Sequence, residues 1–169
     1  MKEIKLINPE NVSEEEVKSY RVREAARAVV FDDDDKIALL HVSKNNYYKL
    51  PGGGLESGED KVVALRRECN EEIGCDIEVI KEIESNVVEY RRFCSLKQIS
   101  YCYVAKIKGK KGRPNFTDYE KEKGFEAVWL SFEEAMKSLV ESKASGIEGK
   151  AYIVPRDIFF VKEAKNNYV

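Results

Sequence analysis

The sequence is short of what several function classes require. It has one histidine, His41, and no CxxC pair among Cys69, Cys75, Cys94 and Cys102, so neither a multi-histidine transition-metal centre nor a thiol-rich zinc site has its ligands. It has no uninterrupted apolar run long enough to cross a bilayer, which excludes a membrane-spanning reading. Its 29 basic and 31 acidic side chains nearly cancel, leaving a formal charge of -2; without a broad positive field, polymeric nucleic acid is not an expected partner. Residues 1–9 lack the apolar core of a secretory signal, and cysteines without a pairing pattern suit a reducing compartment, so a cytoplasmic protein is the expectation.

What is present is enough for one domain: 169 residues, of which 43% are hydrophobic, can bury a well-sized core. Residues 1–20 are charged and weakly patterned and read as an N-terminal arm with a short helix near Ser13 to Ser19; residues 21–169 read as the domain proper. Ala25 to Phe31 and Lys36 to Val42 are β-leaning runs joined by four aspartates, a hairpin with an exposed turn. The spacing of Val62, Leu65, Cys69 and Ile73 predicts a helix over Glu59 to Ile73, opened near Ser57 or Gly58 and closed by Gly74. Asp76 to Glu89, Ile99 to Lys106 and Phe125 to Leu130 read as strands, Ser131 as the cap of a helix to about Glu141, and Ile153 to Lys165 as a terminal helix beginning near Pro155.

The chemistry concentrates in GGLESGEDKVVALRRECNEEIGC, Gly53 to Cys75, where a glycine turn feeds a helix crowded with carboxylates. Glu68, Glu71 and Glu72 are separated by three and four residues, so the helical pitch brings them to one side. Their mutual repulsion calls for compensation, which a hard divalent cation supplies while it neutralises pyrophosphate oxygens and orients a water. A solvated acidic face is the plainer reading of such a helix in isolation, and the adjoining glycine loop weighs against it. Arg67, four residues before Glu71, is suited to orienting a carboxylate. Glu59 is open to three readings: ligand, base, or an acid at the helix N-terminus, the last being the strongest.

The same segment resembles the box of the Nudix hydrolases, the MutT-like pyrophosphohydrolases: glycine, five residues, glutamate, seven residues, then Arg-Glu, a hydrophobe, any residue, Glu-Glu, any residue, glycine and a hydrophobe. Gly53, Glu59, Arg67, Glu68, Cys69, Glu71, Glu72, Gly74 and Cys75 fit that order, with the cysteines in places more often aliphatic. The resemblance implies an α/β/α sandwich with a mixed central sheet. It also implies magnesium or manganese held by Glu68 and Glu72 with the Gly53 carbonyl, Glu71 adding a ligand or assisting the water nucleophile. A further acid from a later loop is implied, for which Glu120 and Glu122 are the candidates, each also readable as a solvated side chain. The implied reaction is hydrolysis of a phosphoanhydride in a nucleoside diphosphate linked to another group: a nucleoside triphosphate, an oxidised nucleotide or a nucleotide sugar. The alternative is a catalytically inactive Nudix-like module that binds a nucleotide or a protein.

For substrate contacts, Tyr47 and Tyr48 precede the glycine turn and suit either stacking on a base or loop packing, while Arg27 and Arg91 are candidates for meeting phosphates. Tyr101, Tyr103 and Trp129 read as sheet or core packing, Cys94 and Cys102 as buried packing, and His41 carries no catalytic assignment. Monomer and homodimer are both compatible with the sequence.

Overall fold

The computed structural model describes residues 2–168 of the chain. In chain order the elements are β1 (Ile4–Ile7), α1 (Glu14–Val17), β2 (Arg21–Phe31), β3 (Ile37–Val42), β4 (Tyr47–Lys49), β5 (Gly52–Gly54), α2 (Lys61–Ile73), β6 (Asp76–Glu82), β7 (Asn86–Arg91), β8 (Leu96–Lys108), α3 (Asp118–Glu122), β9 (Phe125–Leu130), α4 (Phe132–Val140) and α5 (Val154–Tyr168). The nine strands form one mixed sheet with the main order β1-β7-β8-β2-β3-β4, to which β5 adds on β2, β6 on β8 and β9 on β3. Its spine is the parallel β2/β8 ladder, running from Arg21 opposite Leu96 to Phe31 opposite Lys106.

Alternation along β2 sends successive side chains to opposite faces. Ala26, Ala28 and Val30 pack with Leu65, Cys69 and Ile73 of α2, while Val29 and Phe31 pack with Ala135 and Leu139 of α4 and Phe160 and Val161 of α5. Helices therefore cover both faces, giving the α/β/α sandwich. Each large side chain so buried contributes about 1.5–3 kcal/mol.

Several sequence expectations are met and some are corrected. The β2/β3 hairpin closes with Phe31 opposite Ile37, but its turn is not wholly exposed: Asp32 is buried, accepts the Asp34 and Lys36 amides and pairs with Lys111 at 2.7 Å. The segment read as an arm holds a strand that the sequence pattern hid, since β1 lies parallel to β7 with Ile4 opposite Asn86; only four residues long and exposed on Ile4 and Leu6, it shows no alternation to recognise. The single strand expected over Asp76 to Glu89 is two, β6 and β7, each antiparallel to β8 and separated at Ile83 to Ser85. Ile83 is fully buried there while donating its amide to Cys102. Helix α5 is preceded by a π-helical turn over Glu148–Ile153. No helix among the described residues is long and apolar enough to cross a membrane.

Candidate active site

Helix α2 begins later than its periodicity predicts. Asp60 is the cap, its Oδ1 accepting from the Val62 and Val63 amides at 2.9 and 3.3 Å, so Glu59, Ser57 and Gly58 lie outside the helix. Gly74, at φ 65°, ends it as expected. Freed from the first turn, the Glu59 carboxylate takes a two-pronged bond from Arg67, Nε to Oε2 at 3.0 Å and Nη2 to Oε1 at 2.9 Å. That bond and the Glu56 amide hold Glu59 down to about 2. Arg67 also reaches Glu68 Oε1 at 3.0 Å, the Gly54 carbonyl at 3.3 Å and Glu71 Oε2 at 3.7 Å. It thus ties two helix carboxylates to the glycine strand.

The three helix acids differ in setting. Glu72 is buried, and its Oε1 accepts the Gly52 amide at 2.8 Å. Burial pushes its carboxyl up to about 8, Lys49 pulls against that, and Glu68 and Glu120 add to the rise. Glu71 is raised by burial and then by the Glu68 charge. Glu68 lies against Gly53 so closely that a Cβ there would stand 2.6 Å from the Glu68 carboxyl carbon. Glycine at this place is a requirement of close approach.

These residues form one wall of a cleft of about 440 Å³. Much of the rest of the lining forms a basic wall: Arg23 and Arg27 from β2, Lys49 from β4, Arg91 from β7 and Arg156 from α5. Tyr119 and Glu120 of α3 stand at the rim, where Glu120 Oε1 also accepts the Thr117 amide at 2.9 Å in a capping box. Of the residues singled out from sequence, Gly53, Arg67, Glu68, Glu71, Glu72, Glu120, Arg27 and Arg91 line the cleft. Tyr47, Tyr48 and Glu122 do not. Tyr48 stacks on His41 with ring centroids 4.4 Å apart, Tyr47 packs beside Gly149, and Glu122 is exposed. Cys69, Cys75 and Cys102 are buried, but Cys94 is exposed, against expectation, in the turn between β7 and β8.

Sequence reasoning missed Lys49 and Arg156. Arg156 is fully buried, and the signal was available: Arg156 and Asp157 are two charges embedded in the apolar run from Ile153 to Val161, a pattern that marks a paired, inward-facing charge.

The acidic wall supplies hard oxygen donors in excess. Glu71 and Glu72 both hold protons more tightly than usual because of burial and their acidic neighbours. Glu68, Glu71, Glu72 and the Gly53 carbonyl fit a divalent hard cation by donor chemistry. Among the described residues, no three acidic, histidine or cysteine side chains are already converged on one point; Glu68 is turned toward Arg67 instead.

A mixed sheet between helix layers, with a glycine strand and an acidic helix framing a cleft, is an arrangement suited to phosphate chemistry. The NUDIX domain family model matches residues 21–151, and the chain belongs to that family. Over 52 residues it is 40% identical to the RNA pyrophosphohydrolase of Ruthia magnifica subsp. Calyptogena magnifica, a match that spans 31% of this chain and 29% of that protein. The fold is similar to the crystal structure of a MutT protein from Methanosarcina mazei Go1, with TM-score 0.59 and 16% identity, covering 89% of this chain and 99% of that one. It is also similar to an ADP-ribose pyrophosphatase from Streptococcus suis 89-1591, with TM-score 0.54 and 16% identity, covering 87% and 94%.

Proposed function

We propose that the protein is a magnesium-dependent hydrolase, with manganese as a substitute, that cleaves a phosphoanhydride in a small nucleotide-derived pyrophosphate. The observation that carries this reading is that Glu68, Glu71 and Glu72 line a single cleft together with Arg23, Arg27, Arg91 and Arg156. An anion lodged there meets both cations of the protein and carboxylates suited to a hard cation. Glu68, Glu71, Glu72 and the Gly53 carbonyl are the residues that would hold the metal, which when bound would neutralise phosphate oxygens and activate water.

The protein's own groups then divide the work. The Gly52 amide fixes Glu72, and Arg67 fixes Glu68; Glu71 has only the 3.7 Å approach of Arg67 and half-exposed access to solvent, which leaves it the freest carboxylate to take a proton from the attacking water. Water oxygen bonds to phosphorus, the bond from that phosphorus to the bridging oxygen breaks, and the bridging oxygen leaves as a phosphate oxygen. Arg27 and Arg91, which line the same cleft, would receive the charge that develops on the phosphates. Glu120 at the rim is available as a further acid.

The test is hydrolysis of a panel of nucleoside triphosphates, dinucleoside polyphosphates, ADP-ribose, nucleotide sugars and triphosphate-ended RNA, with and without magnesium, products identified by mass. Glu68→Gln and Glu72→Gln should each reduce turnover by about 100-fold or more in folded protein. Unchanged turnover in both would reject the assignment. Absence of turnover on every substrate, with metal bound, would favour the inactive binding module.

A further inference from the structure

The two ends of the main sheet order are finished differently. At the β4 end, side chains close the edge: Ser142 Oγ accepts the Tyr48 amide at 3.2 Å, and Asp157 Oδ2 accepts the amide of Leu50, just past the strand, at 2.9 Å. At the other end β1 pairs with β7 alone. The Asn86 amide donates to the Glu3 carbonyl at 2.9 Å. Backbone groups of successive residues point to opposite edges of a strand, so Glu3, Lys5 and Ile7 address β7 while Ile4 and Leu6 address the open side. Among the described residues, no other element takes up the outward amides and carbonyls of Ile4 and Leu6.

The side chains sort by the same alternation. Ile7 packs against the core that holds Phe160 and Val161, and Lys5 Nζ stands 5.9 Å from the Phe159 ring, so residues 3, 5 and 7 share the α5 face. Ile4 and Leu6 lie on the other face, 68% and 44% exposed, beside Lys2, whose ammonium is engaged with Glu82 and Tyr101. Open backbone groups and bare apolar side chains make an edge a template for another strand. No proline or bulge in β1 turns one away. Lysine is the common guard of such an edge, so the place of Lys5 decides which pairings are forbidden.

A twofold axis would set β1 antiparallel to its own copy. Three registers place the outward groups of Ile4 and Leu6 within the pairing. With Lys5 opposite itself, two ammonium groups collide. With Leu6 opposite itself, Lys5 meets Ile7 and its charge goes unmatched. With Ile4 opposite itself, Glu3 meets Lys5 of the second copy, twice by symmetry, and Leu6 meets the aliphatic stem of Lys2. The order Glu3, Ile4, Lys5 is complementary to its own reversal in this register alone. We propose that β1 is the interface of a homodimer in which two β1 strands pair antiparallel with Ile4 at the axis, joining two sheets into one. None of the residues lining the cleft belongs to β1, so both clefts stay open, and the proposal is independent of the hydrolase reading.

The experiment is sedimentation equilibrium of the full chain at low salt over about 1–500 µM. So short a strand makes a small interface, and a Kd of about 10–100 µM is expected, with the mass rising from 19.4 kDa toward twice that value. Lys5→Glu and Glu3→Lys should each weaken association about 10-fold or more, because each sets two like-charged pairs across the axis. The double exchange Glu3→Lys with Lys5→Glu should restore the wild-type Kd. Ile4→Pro removes an outward amide, leaves the bonds to β7, and should abolish the dimer in folded protein. If that variant does not fold, the charge exchange decides alone, since Glu3 and Lys5 are exposed. A wild-type mass of 19.4 kDa at every concentration, a Kd unmoved by Lys5→Glu, or a double exchange that fails to restore it would overturn the proposal.

Discussion

Glu59 and Arg67 lie eight positions apart and meet in a planar, two-bond pair at 2.9 and 3.0 Å, the strongest geometry open to an arginine and a carboxylate. The pair acts on the site through Glu68, which Arg67 holds by a third bond. Arg67→Gln is expected to lower kcat about 10- to 100-fold, the usual cost of losing a partner that orients a ligand, with little change in melting temperature. Glu59→Gln should lower it less, since the Arg67 bonds to Glu68 and the Gly54 carbonyl remain. Steady-state kinetics and thermal melts of the two variants check this.

Gly53→Ala tests the close approach. The added methyl overlaps the end of the Glu68 side chain, which is flexible and can swing aside, so stability should change by less than about 1 kcal/mol. Turnover should fall about 10-fold or more, because a carboxylate displaced by an ångström no longer serves the reaction. Gly74→Ala is the opposite case: at φ 65° and with a Cβ 2.6 Å from Gly112 backbone, it should cost about 1–3 kcal/mol of stability. Paired denaturation and kinetic measurements separate the two.

Acid stability should depend on Asp32. Its burial raises the carboxyl pKa, but Lys111 and the amides of Lys36 and Asp34 outweigh that and leave it below its ordinary 3.8. A carboxyl depressed in the folded state stabilises fully above its unfolded value and loses that contribution as pH falls through the folded one. The Asp32–Lys111 contribution is thus constant at neutral pH and disappears below about pH 4. Lys111→Met should lower stability at pH 7 and flatten the decline below pH 4, as read by urea unfolding across that range.

Arg156→Met should be severe. The substitution leaves Asp157 buried without its cation, while Glu89 keeps Arg91, and Asp157 Oδ2 must still accept the Leu50 amide at 2.9 Å. A loss of about 3–5 kcal/mol is expected from a buried carboxylate left uncompensated, visible as a lower denaturation midpoint.

The acidic helix was legible because its evidence is local: apolar spacing, a glycine stop and acids three and four apart all fall within 23 residues. Its start differs because in sequence Ser57 or Gly58 reads as the opener, with the helix from Glu59, and only the folded backbone shows Asp60 Oδ1 taking two amides. The basic wall was half legible. Arg27 and Arg91 stand in strands, whereas Arg156 reaches the cleft from the C-terminal helix, and nothing in spacing places residue 156 beside residue 89. Tyr47 and Tyr48 sit next to the glycine turn in sequence but stand aside from it in space, as β4 pairs with β3 while β5 pairs with β2. Strand β1 left no signal because an edge strand of four residues has neither length nor alternation.

The β2/β8 ladder also sets an order of events. It joins residues such as Arg23 and Gln98 across 75 positions, and the whole of the glycine strand and acidic helix lies inside the loop that this pairing closes. Parallel pairing across so long a loop forms slowly, since chain entropy is spent before the contacts repay it. On the ribosome, α2 emerges well before β8, so the acidic helix waits in the nascent chain for the strand that brings Gln98 to Arg23. Arg156 of α5 follows later still, so the residues that line the cleft are drawn from stretches of the chain that emerge at widely separated moments.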